Sequence, residues 1–153
     1  MPREQALRAR GSTGFTLIEL MVAVAIATLL VAIALPSYRQ YVLQSHRAEA
    51  KTSLLDLAGR EERYFNSNVS TGYTASSQNL GYGAAGFPMT VGSGYYQVNV
   101  AVTAAVAGPP YLPPTYTLTA TAIGNQVNDA SCQTFTVLST GQQTSAPAAS
   151  GCW

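Results

Sequence analysis

A run of 21 residues, Phe15 to Leu35 (FTLIELMVAVAIATLLVAIAL), constrains this 153-residue chain more than any other feature, because it contains a single charge, Glu19. As a helix at about 1.5 Å per residue it spans roughly 30 Å, the thickness of a bilayer core. It is apolar on every face, which suits lipid or packed helices all round better than one side of a soluble core. An ordinary secretory signal peptide fits less well. Its apolar stretch runs to about 7–15 residues and ends at a small-residue cleavage site, whereas here Pro36-Ser37-Tyr38 follows. The telling residues lie at the other end. A short polar segment, Met1–Gly14, carries Arg3, Arg8 and Arg10 against one acid, Glu4, and Gly14 directly precedes the apolar run.

An ionisable residue inside a membrane segment is costly, and therefore points to a function and to a partner. A cut after Gly14 would make Phe15 a new N-terminus bearing an amine, with Glu19 one helical turn away. A carboxylate at a helix N-terminus is also favoured by the helix dipole. In a packed assembly Glu19 would pair with the amine of a neighbouring subunit. An unpaired carboxylate in an apolar medium costs several kcal/mol, so such pairing would set the register between subunits.

Gly14-Phe15-Thr16-Leu17-Ile18-Glu19-Leu20-Met21-Val22 resembles the prepilin peptidase site of the type IV pilin and type II secretion pseudopilin superfamily. The resemblance implies cleavage between Gly14 and Phe15, N-methylation of Phe15, and a role for Glu19 in processing or assembly. Pro36 falls where many members also have a proline. Many relatives carry a glycine inside the apolar run, and here none lies between Phe15 and Ala58. The partners implied are other pilin subunits, the prepilin peptidase, and a pilus assembly machinery with a separate ATPase, since no ATP-binding motif is present in the chain. The implied fold is α+β, a long N-terminal helix packed against a small antiparallel β-meander.

Residues 1–14 then read as a leader, 15–37 as a transmembrane and assembly helix, 38–65 as an amphipathic stem helix and 66–153 as a head. Pro36 removes one helical hydrogen bond and crowds the carbonyl of Ala32, so a kink or local melting is expected, with helical pattern resuming at once. In the stem, Tyr41, Val42, Ser45, Ala48, Thr52, Leu55, Ala58 and Glu62 recur at helical spacing, flanked by Leu54 and Phe65, and form the expected packing stripe. Asp56 and Arg60 are spaced for an i,i+4 ion pair. Gly59 costs about 1 kcal/mol against Ala, which suggests tight packing or fraying there. His46 has no metal-partner spacing and reads as a solvated or lightly packed residue.

Asn66 to Ser93 is rich in Gly, Ser, Asn and Tyr and reads as a long loop, functional or held by contacts. Gly81–Gly86 formally matches G-x-G-x-x-G, but it lacks the flanking strand and helix that a dinucleotide site needs. Asn68-Val69-Ser70 matches a glycosylation sequon, a weak pattern. Three strands follow by period-2 alternation: Tyr96–Val102, Tyr116–Ala122 and, less cleanly, Gln133–Leu138. The wet face of such a meander is rich in Thr, Gln and Asn. Between the first two strands the proline-rich Gly108–Pro114 makes a stiff connection.

Charge narrows the function. The chain has 8 Lys/Arg and 7 Asp/Glu, and fourteen of these fifteen charges precede residue 64, leaving Asp129 alone in the head. After the expected cleavage the side chains carry five basic and six acidic groups. A head without Lys or Arg argues against DNA as a partner, because phosphate binding relies on them. Tyr73, Tyr82, Tyr95, Tyr96, Tyr111 and Tyr116 offer stacking surfaces, but core packing or subunit contact is the simpler use. One His and two Cys do not make a zinc site of the usual kind, Asp129 alone is no calcium cage, and no catalytic set or cofactor site is recognisable. Positive-inside counting leaves orientation open, since Arg39, Arg47 and Lys51 follow the run.

Cys132 and Cys152 are the only cysteines. An exported head lies in an oxidising compartment, where these two are expected to form a disulfide worth about 3 kcal/mol, with Trp153 packed over it. The C-terminal loop so closed resembles that of type IVa pilins, and the Cys-Trp ending is most similar to PilE-like minor pilins. The resemblance implies a bacterial inner-membrane protein, single-pass with a periplasmic head, that moves into an extracellular pilus serving twitching motility and adhesion. Two alternatives stand beside it. One is a minor pilin that acts as a DNA-uptake receptor. The other is a pseudopilin of a type II secretion system, against which the disulfide and the missing acidic cluster argue.

Overall fold

The computed structural model describes residues 14–83 and 86–153. The proposed leader up to Thr13, and Ala84-Ala85 within the glycine-rich hexapeptide, lie outside the described residues. The chain forms two compact units, one ending at Arg39 and the other spanning Gln40–Trp153. A single helix, α1 (Leu17–Ser67), contains Pro36. Proline therefore does not end the helix, although it can supply no N–H there.

In the first unit the large apolar side chains from Phe15 to Leu35 are all exposed within the chain itself. The hydroxyl in the middle of this run, on Thr28, bonds the carbonyl of Ala25 at 2.9 Å. It is thereby satisfied within its own helix, as apolar surroundings demand.

The second unit is a five-stranded antiparallel meander, in sequential order β1 (Met89–Val91), β2 (Tyr96–Thr103), β3 (Thr115–Ala122), β4 (Cys132–Leu138) and β5 (Gln143–Pro147), against which α1 packs. The three strands expected from alternation are the central three. Pairing places Val98, Ala120 and Phe135 in one inward row and Val100, Leu118 and Val137 in the next. Small Ala120 between larger neighbours leaves room for Phe135, which is wholly buried. On the other face Asn99, Thr119, Thr136 and Thr144 form a polar row, the wet face that the alternation predicts.

The irregular alternation of β4 has a structural cause. The register between β4 and β5 shifts between Cys132 and Thr134, which lets both Cys132 and Phe135 face inward. Two edge strands, β1 and β5, were not expected. The long loop expected over 66–93 also gives up its first two residues to α1 and Met89–Val91 to β1.

The packing stripe of the stem is corrected as well. Ala50, Leu54, Leu57 and Glu61 are the buried positions, whereas Tyr41, Ser45, Ala48, Thr52 and Leu55 are exposed. The true stripe lies on a neighbouring face that includes charged residues. Gly59 is exposed and a Cβ placed there meets nothing within 4 Å, so tight packing is not its reason. Replacing Gly59 by Ala is expected to raise stability by about 0.5–1 kcal/mol through helix propensity and unfolded-state entropy. The urea midpoint of the full chain in detergent measures this, and an unchanged midpoint would contradict it.

Candidate functional site

The residues singled out at the N-terminus gather at the start of α1. Gly14, Phe15 and Thr16 precede the helix, and Glu19 lies in its first turn. Thr16 is the helix cap. Its Oγ1 accepts the N–H of Glu19 at 3.3 Å, and its carbonyl accepts the N–H of Leu20 at 3.2 Å. Thr16-Leu17-Ile18-Glu19 matches the S/T-x-x-E spacing of a capping box, so the signal for Thr16 is present in the sequence. This cap spends the hydroxyl of Thr16 on an orphan helix N–H. Among the described residues the Glu19 carboxylate has no partner. A carboxylate at the head of an apolar run, with no partner among the described residues, is available to a cation from outside.

Within the second unit, the face of α1 that meets the sheet is built on polar contacts at one end and apolar ones in the middle. Arg47 grips Asp129 by two hydrogen bonds, Nε to Oδ2 at 2.5 Å and Nη2 to Oδ1 at 2.7 Å. Asp129 is 3% exposed. Burial alone would raise its carboxyl, but the hydrogen bonds and charge of Arg47, with the backbone N–H groups of Cys132 and Ser131, bring it below the ordinary value. The single charge of the head is thus the partner of a stem arginine.

Gln126, fully buried on the short 3-10 helix Gly124–Asn128, completes this junction. Its amide nitrogen donates to Asp129 Oδ2 at 3.1 Å and to the Tyr96 hydroxyl at 3.2 Å. Its oxygen accepts from His46 Nδ1 at 2.9 Å, and the Tyr96 hydroxyl donates to the carbonyl of Cys132 at 2.9 Å. His46 also stacks on Tyr95 with ring centroids 3.7 Å apart. His46 is half-buried, in keeping with the lightly packed of the two expectations, but it is a fixed member of the network, and Gln126 carried no signal in the sequence.

The cysteines pair as expected. Cys132 and Cys152 are disulfide-bonded with Cα atoms 5.7 Å apart. Lys51 donates to the carbonyl of Cys152 at 2.9 Å, and Trp153 packs edge-to-face on Phe135 while its indole N–H donates to Thr144. The loop after α1 is held by contacts too. Arg60 pairs with Asp56 at 2.8 Å, donates to the carbonyl of Leu80, and lies over the Tyr82 ring at 4.4 Å. The hydroxyl of Tyr82 donates in turn to Asp56 at 2.6 Å. Asn68, in the sequon, spends its amide on the carbonyl of Tyr64. Gly81, Gly83 and Gly86 all have positive φ, as turn residues do. Of the tyrosines, Tyr96 and Tyr116 are buried, Tyr73, Tyr82 and Tyr95 pack against the core, and Tyr111 is exposed.

A capped apolar helix start whose first-turn acid has no partner among the described residues, continuing into a disulfide-closed antiparallel head, defines a pilin-like protein. Residues 36–136 match the family described as type IV minor pilin ComP, DNA uptake sequence receptor, and residues 9–35 match the prokaryotic N-terminal methylation motif. The chain belongs to the type IV minor pilin family. It is similar to fimbrial protein EcpC of Eikenella corrodens, at 41% identity over 92 residues, covering 60% of this chain and 55% of that protein. It is also similar to the type IV major pilin protein PilA of Myxococcus xanthus (strain DK1622), at 45% identity over 53 residues, covering 35% and 24%. The chain therefore matches about half of the first relative and a quarter of the second.

Proposed function

We propose that this chain is a structural subunit, a minor pilin, of a bacterial type IV pilus. In this reading prepilin peptidase cuts between Gly14 and Phe15, and Phe15 is N-methylated. The apolar part of α1 moves from the inner membrane into a filament core, where neighbouring helices replace lipid. The head is periplasmic before assembly and extracellular after it. A separate ATPase drives assembly, and the filament serves twitching motility and adhesion. The role is architectural, with no cofactor or catalytic step. Pro36 marks where the helix would bend or melt during packing.

One observation carries the reading: Glu19, in the first turn of α1, has no partner among the described residues and is the single charge of the Phe15–Leu35 run, in register with the methylation motif. Pairing with a neighbour's amine supplies the missing cation. Glu19→Ala is expected to leave the head folded and to lower incorporation into sheared pili by roughly tenfold or more, the factor that about 1.4 kcal/mol of lost pairing gives. Quantitative immunogold labelling of the pili measures this, and wild-type incorporation would refute the registration role.

The second reading, a DNA-uptake receptor, is favoured by the description of the matching family. The cations weigh against it. Arg47 and Arg60 are paired with carboxylates and Lys51 with a carbonyl, which leaves Arg39 and Arg63 free of such bonds among the described residues. Two phosphate contacts would give a salt slope of only about −2. A gel shift with the full chain in detergent separates the readings: absence of binding at low salt removes the receptor role, and tight, steeply salt-dependent binding establishes it.

A further inference from the structure

Of the two acids buried among the described residues, Asp129 is paired by the junction and Glu61 is not. It sits on the packed face of α1, 0% exposed, beside Ala50, Leu54 and Leu57 in the same stripe. Its Oε2 accepts the backbone N–H of Thr74 at 3.1 Å, and this bond ties the segment after α1 back to the helix. Its Oε1 is buried with no hydrogen-bond partner. Neither ion pair among the described residues involves it. The titratable groups around it offer no positive charge. Glu62 adjoins it on α1, Tyr73 faces it from the following loop, and Tyr116 faces it from β3. The Tyr73 hydroxyl is spent on Glu62, to which it donates at 3.1 Å.

We propose that Glu61 is a proton-operated latch: neutral, it holds the Tyr73–Thr74 segment against α1, and ionised, it releases that segment. The geometry explains why. A neutral carboxyl leaves one dry oxygen uncompensated, a modest cost, whereas an ionised one places charge on that oxygen next to another acid. Burial pushes the Glu61 carboxyl up to about 7, with the charge of Glu62 adding to it and the Thr74 N–H opposing. The latch would therefore switch in the neutral range, while Tyr73, itself pushed up to about 12, stays neutral. What it regulates is the attachment of the loop that Arg60, Asp56 and Tyr82 hold further along.

The sign follows from proton linkage. A raised carboxyl binds its proton more tightly when the latch is closed than when Glu61 is open to water. The closed state is therefore favoured at acid pH and loses ground as pH rises from about 4.5 to about 7. Amide hydrogen exchange on the full chain in detergent reads this directly. The Thr74 protection factor, corrected for intrinsic exchange, is expected to fall on the order of 100-fold between about pH 5 and about pH 8. Glu61→Gln keeps an oxygen for the Thr74 N–H and cannot ionise, so its protection should be flat. Glu62→Gln removes a charge that raises the Glu61 carboxyl, so the fall should be smaller and should level off at a lower pH. A wild-type profile flat within about threefold over that range, or a pH dependence unchanged in Glu61→Gln, would overturn the proposal. The wild-type profile decides by itself if the Gln variant does not fold.

Discussion

Arg47→Leu is expected to destabilise the head by about 3–5 kcal/mol, a large fraction of the stability of an ordinary domain. The cost comes from what the substitution leaves behind. Asp129 is 3% exposed and Gln126 is fully buried, so the carboxylate keeps only the Gln126 amide and backbone N–H bonds, without a cation. Replacing both partners, as Arg47→Leu with Asp129→Asn, should recover much of the loss, because a neutral amide costs far less to bury. The pH dependence distinguishes charge from packing. In the wild type the Asp129 carboxyl is held below its ordinary value, so its contribution is present above about pH 4 and lost as pH falls through the lowered value. In Arg47→Leu the unpaired carboxylate is relieved by protonation, so the gap between the two proteins should narrow on acidification. Urea unfolding followed by the emission of Trp153, the single tryptophan, measures all three proteins. A loss below about 1 kcal/mol would place Asp129 in water and remove the argument.

The central strands were legible because their physics is local. Tyr96, Val98 and Val100 alternate with polar residues, and such a pattern buries one face whatever the partners are. The edges were not legible. Met89–Val91 is too short to show a period, and Gln143–Pro147 has no apolar alternation, since an edge strand needs few buried contacts. The stem was read as helix, but its packed face was misplaced by about one position in the helical wheel. The criterion of apolarity rejected the face holding Arg47, His46 and Glu61. Glu61 is buried and His46 and Arg47 are partly covered because the backbone of Thr74, Gln126 and Asp129 meet them, and these partners lie 13, 80 and 82 residues away in sequence.

The same contrast separates the two parts of the site. Gly14, Phe15 and Glu19 are adjacent in sequence, so their meaning rests on spacing alone and was readable, including the T-x-x-E cap that went unused. The junction is assembled from α1, the Gly124–Asn128 turn and β4, and no window of sequence contains it. Its one visible trace was the isolation of Asp129 in a charge-free head. A lone acid in such a segment implies a cation brought from elsewhere, and the stem was the remaining source.

Removing the disulfide should have the second large effect. Cys132→Ala with Cys152→Ala frees a loop closed over a sequence separation of 20, and the chain-entropy model puts the loss at about 3 kcal/mol. For a unit of this size that corresponds to a fall in Tm of roughly 10–20 °C. The bridge links the inward bulge of β4 to a C-terminus that has other anchors. Lys51 holds the carbonyl of Cys152, and Trp153 rests on Phe135. These contacts lie within the closed segment or at its end, so they should persist in the folded variant. They should also keep β5 paired at low temperature, because the bridge acts chiefly on the unfolded chain. The variant should accordingly retain wild-type Trp153 emission when folded, yet unfold at lower urea. A variant that loses the native emission before unfolding would mean that the bridge is needed to dock the C-terminus itself. A Tm within about 3 °C of wild type would mean that those anchors already confine the unfolded chain.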